Sequence, residues 1–261
     1  MTYFVYNFQV FLLILVRMNS MFMVAPFFSS EIIPFRLKAL LSFFIALIIF
    51  PVVTAQGYSI AISDNTGVYY LMILREICIG LYIGFLVSVV FAAFQLAGQF
   101  FAVQIGFGIN EVLDPLSQIS VPLIGQMKNL IALLVLLAMN GHHFMIGAVY
   151  RSYELVPLID MERAADGKLL EYMLYAFSGM FVVAMKIALP VVGAIFLVSV
   201  SLGLLAKAAP QMNIMMMGFP FKIMVAFGIL LISSPLIIRV MWVSLERTFS
   251  FISKVIQGWP T

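Results

Sequence analysis

The run ICIGLYIGFLVSVVFAAFQLAGQFFAVQIGFGIN, Ile77–Asn110, contains no Asp, Glu, Lys or Arg. A helix of about 20 residues crosses a hydrocarbon core ~30 Å thick, so this run is too long for one span. It is almost wholly apolar as far as Phe94 and changes character at Gln95. Gln95, Gln99 and Gln104 then interrupt the pattern, and two glycines flank Phe107. Outward from this run, further apolar blocks lie at 4–25, 39–54, 123–140, 172–205 and 223–245, with the run itself holding most of 71–94. Strand alternation is absent, and the blocks are too long for membrane-barrel strands of ~10 residues. The chain is predicted to be all-α.

Composition supports a lipid or lipid-like setting. Apolar residues make up 64% of the 261 residues and charged ones 10%, with a mean hydropathy of +1.14. Soluble domains run at roughly 45–50% apolar and about 25% charged. That much hydrocarbon cannot be hidden in a soluble fold of this size, because about a quarter of the surface its unfolded chain exposes stays wet. Soluble enzymes and nucleic-acid binders are excluded. The net charge of +3 contains no Lys/Arg run that tracks a phosphate backbone. Cys78 stands alone and forms no internal disulfide. The first cation is Arg17, so the N-terminus lacks the basic start of a cleaved leader and reads as mature structure. Domain linkers and internal repeats are not apparent, and residues 1–261 are expected to form a single domain.

Several features resist a plain six-span bundle. The block 172–205 is too long for one span and carries Lys186 one turn before Pro190, which suits two helices or one kinked helix. Arg17, Arg75, Glu76, Lys128, Lys222 and Arg239 all lie within or against apolar blocks. A lone charge facing lipid costs roughly 2.5–3.5 kcal/mol even on lenient scales. Arg17, Lys186 and Lys222 are therefore expected to be buried and relieved by pairing, water or another subunit. Six spans put Lys/Arg at 151, 163, 168, 247 and 254 on one face, against 36, 38, 207 and 222 on the other. That is no positive-inside bias. The charged stretch Arg151–Glu171 is expected to be an aqueous connection.

Catalytic chemistry is sparse. His142 and His143 are adjacent, so on a helix they diverge by roughly 100° and do not chelate one metal as an i, i+4 pair does. They suit a polar helix end after Asn140-Gly141. No His-Glu-x-x-His, Walker A or dinucleotide motif is present. No enzyme activity, metal or cofactor is expected. Packing signals are clearer. Gly80, Gly84, Ser88 and Ala92 recur every four residues, and Ser199 and Gly203 repeat the spacing. Such stripes let a second backbone approach closely, in a partner subunit or within the same chain. Met212 and Met215–Met217 suit a deformable contact or ordinary apolar packing. Gly106 and Gly108 relax the backbone, and Asp114-Pro115 suits a helix restart. Irregular backbone at membrane depth lines a cavity or is buried in protein, so the segment is either a pore-facing loop or a turn between spans. The alternatives are an ion channel, for which Ile105-Gly-Phe-Gly matches a potassium filter only weakly, a secondary transporter, or a subunit of a larger complex.

The sequence resembles the FliR family, flagellar export-gate proteins of bacterial type III secretion. The likeness runs through Arg17, Ala25-Pro26-Phe27-Phe28, Phe94-Gln-Leu-Ala-Gly-Gln99, Gln104-Ile-Gly-Phe-Gly108 and Asp114-Pro115. Asn140-Gly-His-His143, which looks flagellar rather than injectisome-like, Ala209-Pro-Gln-Met-Asn-Ile214 and Gly218-Phe-Pro-Phe-Lys222 complete it. One departure is Met215-Met216, where a bulkier aromatic is expected. The resemblance implies a non-enzymatic subunit in the bacterial inner membrane, at the flagellar basal body, joined to FliP-like and FliQ-like subunits with an FlhB-like subunit at the cytoplasmic side. It implies helical hairpins packed against partner subunits, with much of the gate lifted out of the bilayer and the rest in contact with membrane lipid. Unfolded export substrates would pass through, with no nucleic acid involved. It also implies a channel plug at 104–122, with Gln104, Gly106, Phe107, Gly108, Ile109, Val112, Leu113, Asp114 and Pro115 as its residues.

Overall fold

In the computed structural model, residues 2–30, 33–55, 66–106, 123–155, 168–209, 211 and 214–258 are described. All regular structure among them is helical: α1 Thr2–Val24, α2 Phe35–Ala55, α3 Thr66–Ile105, α4 Leu123–Ala138, α5 Gly141–Leu155, α6 Lys168–Ala208 and α7 Ile214–Gln257. The expected all-α class holds. Among the described residues, five helices are long and apolar enough to cross a membrane, or six if Gly125–Ala138 and Gly141–Glu154, bent by 67°, count as one broken span.

The apolar blocks locate the helices but understate their length. α3, α6 and α7 have 40, 41 and 44 residues. At 1.5 Å per residue each is about 60 Å long or more, twice a ~30 Å hydrocarbon core. The change of character at Gln95 does not break α3. Pro190 likewise lies inside one continuous α6, and Pro220 and Pro235 lie inside α7. Part of the connection expected at Arg151–Glu171 is helical: Arg151 and Glu154 close α5, while Lys168 and Glu171 open α6. All four are exposed, as solvated charges should be. Glu171 sits in the first turn of α6 and Lys207 in its last, each at the end where the helix dipole favours its sign.

Two breaks have local causes. After α1, Ala25-Pro26-Phe27-Phe28 turns sharply, and Phe27 takes φ 75°, a costly conformation for a bulky side chain. The stacking of Phe28 on Phe22, with ring centroids 4.1 Å apart, holds the turn. Between α4 and α5, Asn140 takes φ 54°. Its N–H donates to Leu137 O at 3.0 Å, and its carbonyl accepts from His143 N at 3.0 Å and Phe144 N at 3.3 Å. One residue thus ends one helix and starts the next. A Cβ at Gly141 would come within 2.9 Å of the Phe249 ring, so glycine follows the asparagine. The polar helix end expected at Asn140-Gly141 is there, and His142 and His143 begin α5.

The chain divides into two compact units, one of residues 1–89, 136–177 and 245–261, the other of 90–135 and 178–244. In the first, α1 packs on α2, with Phe43 and Phe50 set edge-on to Phe11. In the second, α3 buries Val90, Phe94, Ala97 and Phe101, and α6 buries Ala184, Ile187, Val191 and Ile195. Both series follow the three-and-four spacing of one helix face.

Candidate functional site

Among the described residues, Arg17 is one of the largest fully buried side chains of the first unit. It sits about two-thirds of the way along α1, in the interior, where a guanidinium is ruinous unless its donors are matched. Its Nε and Nη2 donate to the two carboxylate oxygens of Glu76 on α3, the latter at 2.8 Å. Its Nη1 donates to Ser152 Oγ on α5 at 2.8 Å, and its Cζ lies 4.1 Å from the centroid of the Tyr153 ring. The Tyr153 hydroxyl in turn donates to Ile14 O on α1 at 3.2 Å. The burial expected for Arg17 is present, and a bidentate partner makes it tolerable. Glu76, Ser152 and Tyr153 are site residues that the sequence reading did not assign. The signal was available in part, since Arg17 and Glu76 are opposite charges stranded in apolar blocks.

The small-residue stripe serves the same seam. A Cβ at Gly80 would approach Ser20 Oγ and Arg17 O more closely than the 3.0 Å that real Cβ atoms keep, and one at Gly84 would lie 2.9 Å from Met21 O. Ser88 Oγ donates to Val24 O at 2.6 Å, supplying a partner to a carbonyl orphaned at the end of α1. The close approach of Gly80, Gly84 and Ser88 is therefore to α1 of this chain. Ala92, one turn further, is exposed and stands outside the seam. Gly203 differs again, because a Cβ there would meet nothing within 4 Å.

At the other end of α3, Gln104 is part-buried and Gly106 takes φ 100°, the left-handed backbone its lack of a side chain permits. Phe107, Gly108, Ile109, Val112, Leu113, Asp114 and Pro115 lie outside the described residues. The ends flanking them are tied: Lys128 on α4 is buried, with its Nζ 3.8 Å from the centroid of the Phe101 ring on α3. That ammonium has no hydrogen-bond partner among the described residues, where the ring face is its principal compensation.

A family profile described as bacterial export proteins, family 1, matches residues 8–248. The chain belongs to that family. Its similarity to curated flagellar biosynthetic proteins FliR runs nearly end to end. It is 32% identical over 244 residues to that of Bacillus subtilis, covering 93% of this chain and 91% of the relative. To that of Escherichia coli K12 it is 26% identical over 246 residues, covering 94% and 92%. To that of Borreliella burgdorferi it is 29% identical over 247 residues, covering 92% and 89%. The expected FliR-family membership is shown.

Only 28% of the most apolar window of α6 and 11% of that of α7 is buried within the chain. On α7, Met224, Leu231 and Ile232 are 72%, 75% and 81% exposed. Lys186 is exposed on α6 and Lys222 is half-buried on α7, so the burial expected of them is not provided by this chain alone. Among the described residues, no three His, Cys, Asp or Glu side chains gather as metal ligands.

Proposed function

We propose that this chain is a non-enzymatic core subunit of the flagellar protein-export gate in the bacterial inner membrane. In this reading it helps to form and close the channel for unfolded substrates. FliP-like and FliQ-like subunits cover its outward helix faces, and an FlhB-like subunit joins at the cytoplasmic side. All 261 residues act as one export-gate domain. The observation that supports this best is the length of α3, α6 and α7. Each is about twice the ~30 Å that a hydrocarbon core covers, and each is apolar far beyond that length. Hydrocarbon alone leaves half of such a helix in water, whereas neighbouring protein helices cover it whole. Residues 104–122, entered through Gly106, are the closing segment, with Phe107, Ile109, Val112 and Leu113 excluding water and Asp114-Pro115 stiffening the far end.

The test is to solubilise the tagged chain in mild detergent from its own cells and identify what co-purifies. Subunits resembling FliP and FliQ in a defined assembly support the reading. A homotetramer would replace it with an ion channel, and a monomer carrying a small solute with a secondary transporter.

A further inference from the structure

We propose that the cleft between α5 and the end of α7 binds the phosphate headgroup of an anionic lipid. The cleft encloses about 310 Å³ and lies wholly within the first unit. Exposed His143 and Arg151, two turns apart on one face of α5, form one wall. Ser253 and Gln257, one turn apart on α7, form the other, with Phe144 and Ile256 supplying apolar lining. Among the described residues, no carboxylate lines the cleft and Arg151 has no ion-pair partner. Its planar fork is thus free for a phosphate, which it recognises bidentately. Gly147 lies between His143 and Arg151, and a Cβ there would meet nothing within 4 Å, so the space extends to the backbone of α5.

The size and lining select a lipid over free phosphate. At ~30 Å³ per water the cleft holds about ten waters, more room than a bare phosphate fills. The apolar lining suits a glycerol backbone and the first methylenes of an acyl chain. Charges also return to both helices here, with Arg151 and Glu154 on α5 and Arg247 and Lys254 on α7. That return is what a membrane–water boundary requires, and basic pockets between membrane helices hold anionic headgroups.

The test is native mass spectrometry of the full chain in mild detergent, titrated with phosphatidylglycerol or phosphatidylcholine. Phosphatidylglycerol is expected to be retained preferentially. Arg151→Gln should weaken that retention about fivefold, the weight of one cation near an anionic surface. Gly147→Leu, which fills the open space, should abolish it, and neither variant should melt below the parent or lose the weak phosphatidylcholine binding. Equal phosphatidylglycerol retention by the parent and both variants overturns the site. Complete displacement by millimolar inorganic phosphate, or by an acidic peptide, overturns its assignment to a lipid.

Discussion

Three glycines in helices offer a graded test of the seam between α1 and α3. In a helix interior, Gly→Ala gains about 1 kcal/mol from backbone propensity. What a new methyl meets decides whether that gain survives. At Gly147 it meets nothing within 4 Å. Gly147→Ala should therefore stabilise by about 1 kcal/mol. At Gly84 the methyl would lie 2.9 Å from Met21 O and 3.2 Å from Ala25 N, which requires a shift of a few tenths of an ångström. That strain offsets the propensity gain and leaves Gly84→Ala near neutral. At Gly80 the obstacles are Ser20 Oγ and the Arg17 carbonyl, both closer than 3.0 Å, and the carbonyl belongs to helix backbone. Overpacking costs about 1–3 kcal/mol, and a backbone obstacle belongs at the upper end, so Gly80→Ala should lose about 2 kcal/mol net. Moving the Arg17 carbonyl also disturbs the residue whose guanidinium holds Glu76, one turn before Gly80. Thermal unfolding of the purified chain in one detergent should then give a melting temperature about 4–8 °C lower for Gly80→Ala. Adding Ser20→Ala should recover only part of the loss, because the Arg17 carbonyl remains. Equal melting temperatures for all three variants, or a rise with Gly80→Ala, would refute the close approach of α3 to α1.

Removing one partner of the buried ion pair, as Arg17→Met or Glu76→Met, should cost about 3–5 kcal/mol by stranding the other charge, while the double variant should cost less than either single; additive losses in a double-mutant cycle would sink the pairing. Lys186→Leu should impair recovery of the assembled complex more than Lys168→Leu, whose residue opens α6 in an exposed first turn; equal recovery on a detergent gradient would mean that Lys186 only snorkels. Deleting 106–112 in frame should let small ions leak while the complex still assembles; unchanged conductance in an assembled complex would leave an ordinary turn in place of the closing segment.

Much of this protein is written in composition and local pattern. The excess of apolar residues and the absence of strand alternation specify an all-α chain for a hydrophobic setting, because each follows from the sequence's own periodicity and transfer energy. Gly106 and Asn140 mark positions where the backbone turns left-handed, since the small or locally bonding residues that tolerate it are few. The order of short motifs identifies the family. Helix ends were less legible, because apolarity ends where a surface changes and a helix ends only where its backbone bonds do. α3 therefore passes Gln95, and α7 runs past the block that ends at 245.

Only tertiary structure decides who touches whom. The four-residue stripe announces that some backbone comes close, but the same spacing serves a neighbour in the chain or in another subunit. The approach to Ser20, Met21 and Val24 assigns Gly80, Gly84 and Ser88 to α1 and leaves Ala92 out. Arg17 and Glu76 are 59 residues apart, and no local rule joins them; burial does, because an ion in a low-dielectric interior persists only with its counterion. Lys128 follows the same physics with a weaker partner, the face of Phe101. Lys186 and the apolar surface of α7 remain open on the chain by itself. Sequence specifies that such groups need cover, while the identity of the cover depends on the geometry of the surfaces that meet.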